Sequence, residues 1–252
     1  AFAWGKPALD HILDVSAIDG LGGIEAAADV WRIGCLVTWT QLLEAEMPDW
    51  FQCLRMAARE VGGKQIQNRA TLVGNICNAS PAADGVPALI ALDASVELHC
   101  ASGTRVVPLT EYVLGNRKTA RRDDELVTAL IIPKRRRPAR SVFQKLGARR
   151  YLVVSITMVA GLVETDEAGR IDHASIVVGA CSEVAQRLPA LEAALVGRSI
   201  SDRLEGVVEP GMLASLSPID DVRGSADYRQ HSALVLVRRT LAKLRPVQEA
   251  AQ

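Results

Sequence analysis

Short runs with a strand-like alternation and longer runs with a helical period succeed one another along the chain. Ile12–Val15 and Trp31–Cys35 read as short strands. Thr38 can cap a helix through Leu42 and Leu43. A second helix follows Pro48, with Phe51, Leu54, Met56 and Ala58 on its apolar face. Residues 62–86 break both rhythms. Rich in Gly, Asn, Ser, Ala and Pro, they predict a long loop of the kind that carries function or stays disordered. Val86–Ala94 reads as a short buried helix, and Val96–Cys100 and Arg105–Val107 as a hairpin turning at Ser102-Gly103. Leu126–Ile132 is an apolar strand stopped by Pro133.

The second half is simpler. Val142–Leu146, Val153–Val163 and Ile171–Ala180 predict antiparallel strands, the last two joined by the turn Thr165–Gly169, with Glu164 and Asp166 solvated there. Leu188, Leu191 and Leu195 line one helix face that Gly197 closes, and Ser225 caps a long final helix marked by Leu234, Val237, Leu241 and Leu244. Strands followed by helices in one block make an α+β fold. The charged stretch 134–140, bracketed by Pro133 and Pro138, predicts a boundary between domains at 1–137 and 138–252.

Composition narrows the class. Of 252 residues, 49% are hydrophobic and 23% charged, which argues against disorder. Basic and acidic residues balance at 29 each, which argues against a nucleic-acid partner. The local run Lys134–Arg137 fits a solvated linker or a contact with an acidic partner surface. No apolar run reaches the ~20 residues that span a bilayer, and no signal peptide is visible. Cys35, Cys53, Cys77, Cys100 and Cys181 are odd in number and lack metal-ligand spacing. They read as reduced thiols in a cytoplasmic protein that holds no iron–sulfur cluster on this chain. The four histidines, His11, His99, His173 and His231, have no ligand neighbours and read as structural or surface residues. Trp4, Trp31, Trp39 and Trp50 read as core.

Chemistry concentrates in Gln67–Gly85. Consecutive backbone N–H groups in such a small-residue loop can form an anion-binding concavity, and Gly74 lets a backbone approach a ligand with no Cβ in the way. Thr71 and Asn75 add side-chain donors. Asp84 adds an acceptor of the sort that pairs with ribose hydroxyls. The set suits a dinucleotide, whose pyrophosphate takes donors and whose sugars take acceptors. A plain surface loop answers the same residues.

Asn68, Arg69, Ala70, Thr71, Gly74, Asn75, Ala79, Ser80, Pro81 and Asp84 together resemble the second flavin-binding motif of the FAD-binding (medium) subunits of molybdenum hydroxylases, the xanthine dehydrogenase and carbon monoxide dehydrogenase family. Val73 stands where that motif has the first of two glycines; only its backbone N–H is needed there. The resemblance continues through Gly115–Thr119, Glu125–Val127 and Ile131–Pro133, through Lys145–Arg150, and through Ser217–Ser225 with Tyr228 and Arg229. It implies a PCMH-type FAD-binding domain followed by a CO dehydrogenase flavoprotein C-terminal-type domain of antiparallel strands packed with helices. It implies FAD held by Thr71, Leu72, Val73, Gly74, Asn75 and Asp84, with Lys145 and Ile156 beside the flavin ring. It further implies a small partner with [2Fe-2S] clusters, a large partner with a molybdenum–pterin centre, and a dimer of heterotrimers. Electrons would run from the clusters to FAD and on to an external acceptor, with no catalytic acid or base and no metal on this chain. Arg117, Lys118 and the basic run are candidate partner contacts.

One departure stands out. The family places a first glycine-rich loop upstream of Lys6-Pro7 and Ile12–Val15, and the chain as read opens just after it, on Phe2-Ala3-Trp4. The FAD-binding domain is therefore expected to lack its N-terminal subdomain, with Gly20, Gly22 and Gly23 forming only a turn. Two other readings follow: a flavin-free fragment or assembly subunit that keeps partner contacts, and a stand-alone FAD oxidase. The second needs its own acid–base residues or a flavin-linking His, and neither is found.

Overall fold

The computed structural model describes residues 12–246. Expectations that fall on Phe2, Trp4, Lys6, Pro7 and His11 lie outside them. The first half runs β1 (Ile24–Ala26), β2 (Val30–Gly34), α1 (Trp39–Glu44), α2 (Gln52–Glu60), α3 (Lys64–Gln67), α4 (Leu72–Cys77), α5 (Gly85–Ala91), β3 (Ser95–Cys100), β4 (Gly103–Pro108), α6 (Leu109–Tyr112), β5 (Val113–Gly115), β6 (Lys118–Thr119) and β7 (Leu126–Pro133). The second half adds β8 (Ala139–Leu146), β9 (Thr157–Thr165), β10 (Ile171–Gly179), β11 (Gln186–Arg187), α7 (Pro189–Leu195) and α8 (Ala226–Leu244). Strands β1-β2-β7-β3-β4 form one antiparallel sheet and β11-β10-β9-β8 a second. The fold is α+β, as the order of periodic runs predicted.

The second sheet is covered on both faces. Met158, Ala160 and Leu162 of β9 join the core of the first half, under α2 and α5. Val159 and Val163, alternating with them, join a second core under α7 and α8. Two glycines set these approaches. A Cβ on Gly161 would lie 2.9 Å from Thr240 Cγ2 of α8, and one on Gly179 would lie 2.6 Å from Pro87 Cγ of α5. Period-two burial on both faces explains why β9 reads as a continuous apolar run.

Several elements differ from the sequence pattern. Ile12–Val15 is not a strand: no neighbouring strand among the described residues pairs with it, and Asp14 Oδ1 instead accepts from Ser16 N–H at 2.9 Å to start a turn. The strand predicted to start at Val153 begins at Thr157 instead, because Val153 folds back onto Gly147 and Leu152 takes the left-handed φ of +52°. Residues 62–86 are not an open loop but hold α3, α4 and the start of α5. Leu72 and Ile76, one helical turn apart, supply the apolar face that buries α4. Gly20 and Gly23 have φ of +79° and +92°, in keeping with the expected turn.

The basic run is only partly solvated. Arg136 and Arg137 are exposed beside Asp29 and Asp172, but the Arg135 side chain is largely covered, bonded to Asp93 Oδ2 at 3.0 Å and Glu164 Oε1 at 2.9 Å. Its guanidinium also lies 5.8 Å from the Trp50 ring centroid. Glu164 is therefore a half-buried ion-pair partner, not a solvated turn residue. Asp166 does stay in the turn, accepting from Ala168 and Arg170 N–H. In the first half, Glu125 is gripped by Arg105, whose guanidinium holds its carboxyl down at about 2.

Ser141 ties the halves at a single hydroxyl. Its Oγ accepts from Cys53 N–H at 2.8 Å and donates to Trp50 O at 2.7 Å, both buried. Ser141→Ala leaves both backbone groups without a partner. It is expected to cost about 1–3 kcal/mol, read as a lowered urea midpoint with unchanged slope.

Candidate functional site

The site starts from two paired helix caps. Thr38 and Thr71 face each other across an isolated antiparallel bridge, and each caps the helix that follows it. Leu72 N–H donates to Val37 O at 3.1 Å, and Trp39 N–H to Ala70 O at 3.2 Å. Thr71 Oγ1 accepts from Gly74 N–H at 2.9 Å, which leaves the hydroxyl proton of Thr71 to donate elsewhere. The expected concavity of free N–H groups is thus largely spent on helix capping. Leu72 and Val73 turn their side chains into the core; Leu72 is fully buried and Val73 nearly so. Gly74 is exposed, and a Cβ there would meet Thr71 Oγ1 at 3.0 Å. Its missing side chain therefore clears space beside the cap.

Asn75 is half-buried. Its Oδ1 accepts from Gly85 N–H at 3.1 Å, which orients its NH2 group as the donor end. This bond holds the start of α5, and Asp84 beside it, against α4. The intervening turn is strained: Ala79 has φ +46°, and its carbonyl accepts from Arg117 N–H at 2.8 Å, Arg117 itself having φ +56°. Arg117 also donates from its guanidinium to Asn78 Oδ1 at 3.2 Å. Ala180, with φ +62°, donates its N–H to Pro81 O at 3.1 Å. Three non-glycine residues in the left-handed region thus meet around residues 79–81, a cost borne where surrounding structure over-determines the backbone.

Asp84 is buried, and the second half supplies its partners. Lys145 Nζ lies 2.7 Å from Oδ2, and Ser155 Oγ donates to Oδ1 at 2.5 Å. Lys145 also donates to Glu60 O at 3.4 Å. Burial pushes the Asp84 carboxyl above its ordinary value against the pull of Lys145 and Ser155. The structure therefore brings Asp84, Lys145 and, next to Ser155, the buried Ile156 to one place, with Asn75 one hydrogen bond away through Gly85. Thr71 and Gly74 sit on the same short helix. Ser155 was missed by sequence reasoning: it lies 71 positions from Asp84, and one serine at a strand entry carries no local signal.

Among the described residues, no group of three or more His, Cys, Asp or Glu side chains is gathered so as to hold a metal ion. The donor set has the chemistry that a dinucleotide such as FAD requires. The Thr71 hydroxyl, the Asn75 amide and the Lys145 ammonium donate, and the Asp84 carboxylate accepts.

Comparison with known proteins identifies the family. Residues 4–135 match the FAD binding domain in molybdopterin dehydrogenase, and residues 142–244 match the CO dehydrogenase flavoprotein C-terminal domain. The nicotinate dehydrogenase FAD-subunit of Eubacterium barkeri is 30% identical over 91% of this chain and 78% of its own length. The carbon monoxide dehydrogenase medium chain of Hydrogenophaga pseudoflava is 24% identical over 92% of this chain and 80% of its own. A chain of the reconstituted CO dehydrogenase from Oligotropha carboxidovorans superposes with a TM-score of 0.82 at 25% identity, covering 89% of this chain and 78% of that one. The chain is an oxidoreductase subunit that belongs to the family of FAD-binding medium subunits of molybdenum hydroxylases.

Lys145→Met leaves Asp84 buried without its cation and is expected to cost about 3–5 kcal/mol near neutral pH. The folded carboxyl is already raised above its unfolded value, so protonation favours the folded state, and losing Lys145 raises it further. The deficit should therefore shrink as pH falls through that raised value. Urea unfolding near neutral pH and at about pH 5 compares the two directly. An equal deficit at both would mean that Asp84 keeps its charge without Lys145.

Proposed function

We propose that this chain is the electron-transfer subunit of a molybdenum hydroxylase complex. It would receive electrons from [2Fe-2S] clusters on a small partner subunit and hand them to an external acceptor, while a large partner subunit oxidises the substrate at a molybdenum–pterin centre. The observation that carries this is the meeting of Asp84 and Lys145 beside the α4 donors, within a fold shared with medium subunits of such enzymes.

FAD, when bound, supplies a ring that accepts and releases electrons, and the protein supplies binding, orientation and electrostatics. Thr71, Gly74 and Asn75, with the backbones of Leu72 and Val73, would hold its phosphate and sugar portions. Asp84, already fixed by Lys145 and Ser155, offers its remaining lone pairs to a hydroxyl. Lys145 places a fixed positive charge at the ring side of the site, and Ile156 an apolar wall that excludes water. Electron transfer of this kind needs no proton donor or acceptor from the protein, so no side chain is assigned a catalytic role. The division at 1–137 and 138–252 puts Asp84 and Lys145 on opposite domains, so the site needs both.

The assembly is proposed as a dimer of heterotrimers in the cytoplasm. The five thiols are free, which fits a reducing compartment. Among the described residues, no helix is long and apolar enough to cross a membrane. Lys118 is exposed and Arg117 partly engaged by Asn78, so both remain candidate partner contacts.

The test is the visible spectrum of the purified chain with and without added FAD. One FAD per chain is expected, with Asn75→Ala weakening uptake about tenfold through loss of one donor and of the Gly85 tie. A chain that takes up no FAD would favour the flavin-free assembly subunit.

A further inference from the structure

The cofactor site in the first half is braced from the second half at two points. Ser155 Oγ donates to Asp84 Oδ1 at 2.5 Å, and Ala180 N–H donates to Pro81 O at 3.1 Å. Both braces converge on one side chain. Arg229 of α8 is buried at 3% exposure, and its NH1 group donates to Ile156 O at 2.5 Å and to Ala180 O at 3.1 Å. Ile156 follows Ser155 directly, and its own N–H is taken by Leu146 O at 2.8 Å. Arg229 is itself oriented by Asp221, whose Oδ1 lies 2.6 Å from its NH2 group, and Asp221 is held in turn by the backbone N–H and guanidinium of Arg223. This gives the Asp221–Arg223 and Tyr228-Arg229 stretches a place beside the site, with Arg229 reaching it through the backbone of Ile156.

We propose that Arg229 is a positioning residue for the FAD site, setting the Pro81–Asp84 segment by holding the carbonyls of Ile156 and Ala180 together. The proposal rests on the FAD reading above. A planar guanidinium can serve two carbonyls and a carboxylate at once, whereas an ammonium at that depth cannot reproduce the fork. The two strands that Arg229 joins enter from β9 and leave from β10, so a shift of either moves its brace on the cofactor side. A buried donor network of this kind acts at a distance because its members have no alternative partners.

The test compares Arg229→Lys with Arg238→Lys in the full chain. Arg238 lies on the same helix and makes one guanidinium–carbonyl bond, to Val208 O at 2.9 Å, away from both braces. Three quantities are read: the melting temperature, the FAD dissociation constant with the flavin spectrum at saturation, and amide hydrogen exchange at residues 82–85 without FAD. Arg229→Lys is expected to raise the FAD dissociation constant about tenfold, to shift the bound-flavin absorption and to speed exchange at 82–85. Arg238→Lys should lower the melting temperature and change neither flavin property. Should Arg229→Lys fail to fold, Ser155→Ala cuts one brace alone and is expected to weaken FAD binding and speed exchange at Asp84. If Arg229→Lys melts lower but keeps wild-type FAD affinity, spectrum and exchange, Arg229 merely fastens α8 and the proposal is overturned. Unchanged affinity and exchange in Ser155→Ala overturn it likewise. If the wild-type chain takes up no FAD, the FAD reading fails, and the exchange measurement still decides whether Arg229 sets the segment.

Discussion

A four-stranded sheet buried on both faces is the constraint from which the rest of the molecule follows. Because β9 and β10 are covered on both faces along most of their length, nearly all of their side chains pack into a core above or below, and only their ends near Glu164 and Asp172 reach toward solvent. The two covering layers come from different ends of the chain: α2 and α5 on one face, α7 and α8 on the other. Gly161 and Gly179 mark where each layer comes closest. The halves are therefore not loosely tethered; the first half uses the second half's sheet as part of its own core.

Burying that much surface also buries polar groups, and these are paired across the seam. Asp84 with Lys145, and Arg135 with Asp93 and Glu164, each join a residue of the first half or the linker to one of the second or across the linker. Buried pairs of this kind return little net stability, since desolvation offsets most of the attraction, but removing one partner is costly. Their effect is on geometry: each admits few arrangements, and together they fix how the α4–α5 turn meets the entry of β9. That meeting is where a cofactor with both donors and acceptors to satisfy would find them already aimed.

Strain gathers at the same place. Ala79, Arg117 and Ala180 adopt left-handed backbone conformations around one short turn, and each is locked by a hydrogen bond to or from residues 79–81. Glycine would relieve the strain but would also loosen the turn. A turn held this firmly loses little entropy when it orders around a ligand.

The sequence alone determined a good deal. Period and caps located β2, α1, α2, the β3–β4 hairpin, β7, β8, β10, α7 and α8, because these elements are amphipathic or bounded by local signals such as Thr38, Gly197 and Ser225. The motif residues from Asn68 to Asp84 pointed to the flavoprotein family before any coordinate. Tertiary structure decided what local signals cannot carry. It made α3 and α4 out of a stretch rich in loop-formers, because Leu72 and Ile76 had a core to face and Thr71 had Gly74 to cap. It drew Arg135 and Glu164, which look solvated in a charged run and a hairpin, into a half-buried ion pair. It joined Asp84 to Lys145 and Ser155, and Arg229 to Ile156 and Ala180, across 49 to 73 positions of sequence. The reason is physical: a helix cap or a strand period is written in neighbouring residues, whereas the partner of a buried charge is chosen by whichever distant surface the packed sheet presses against it.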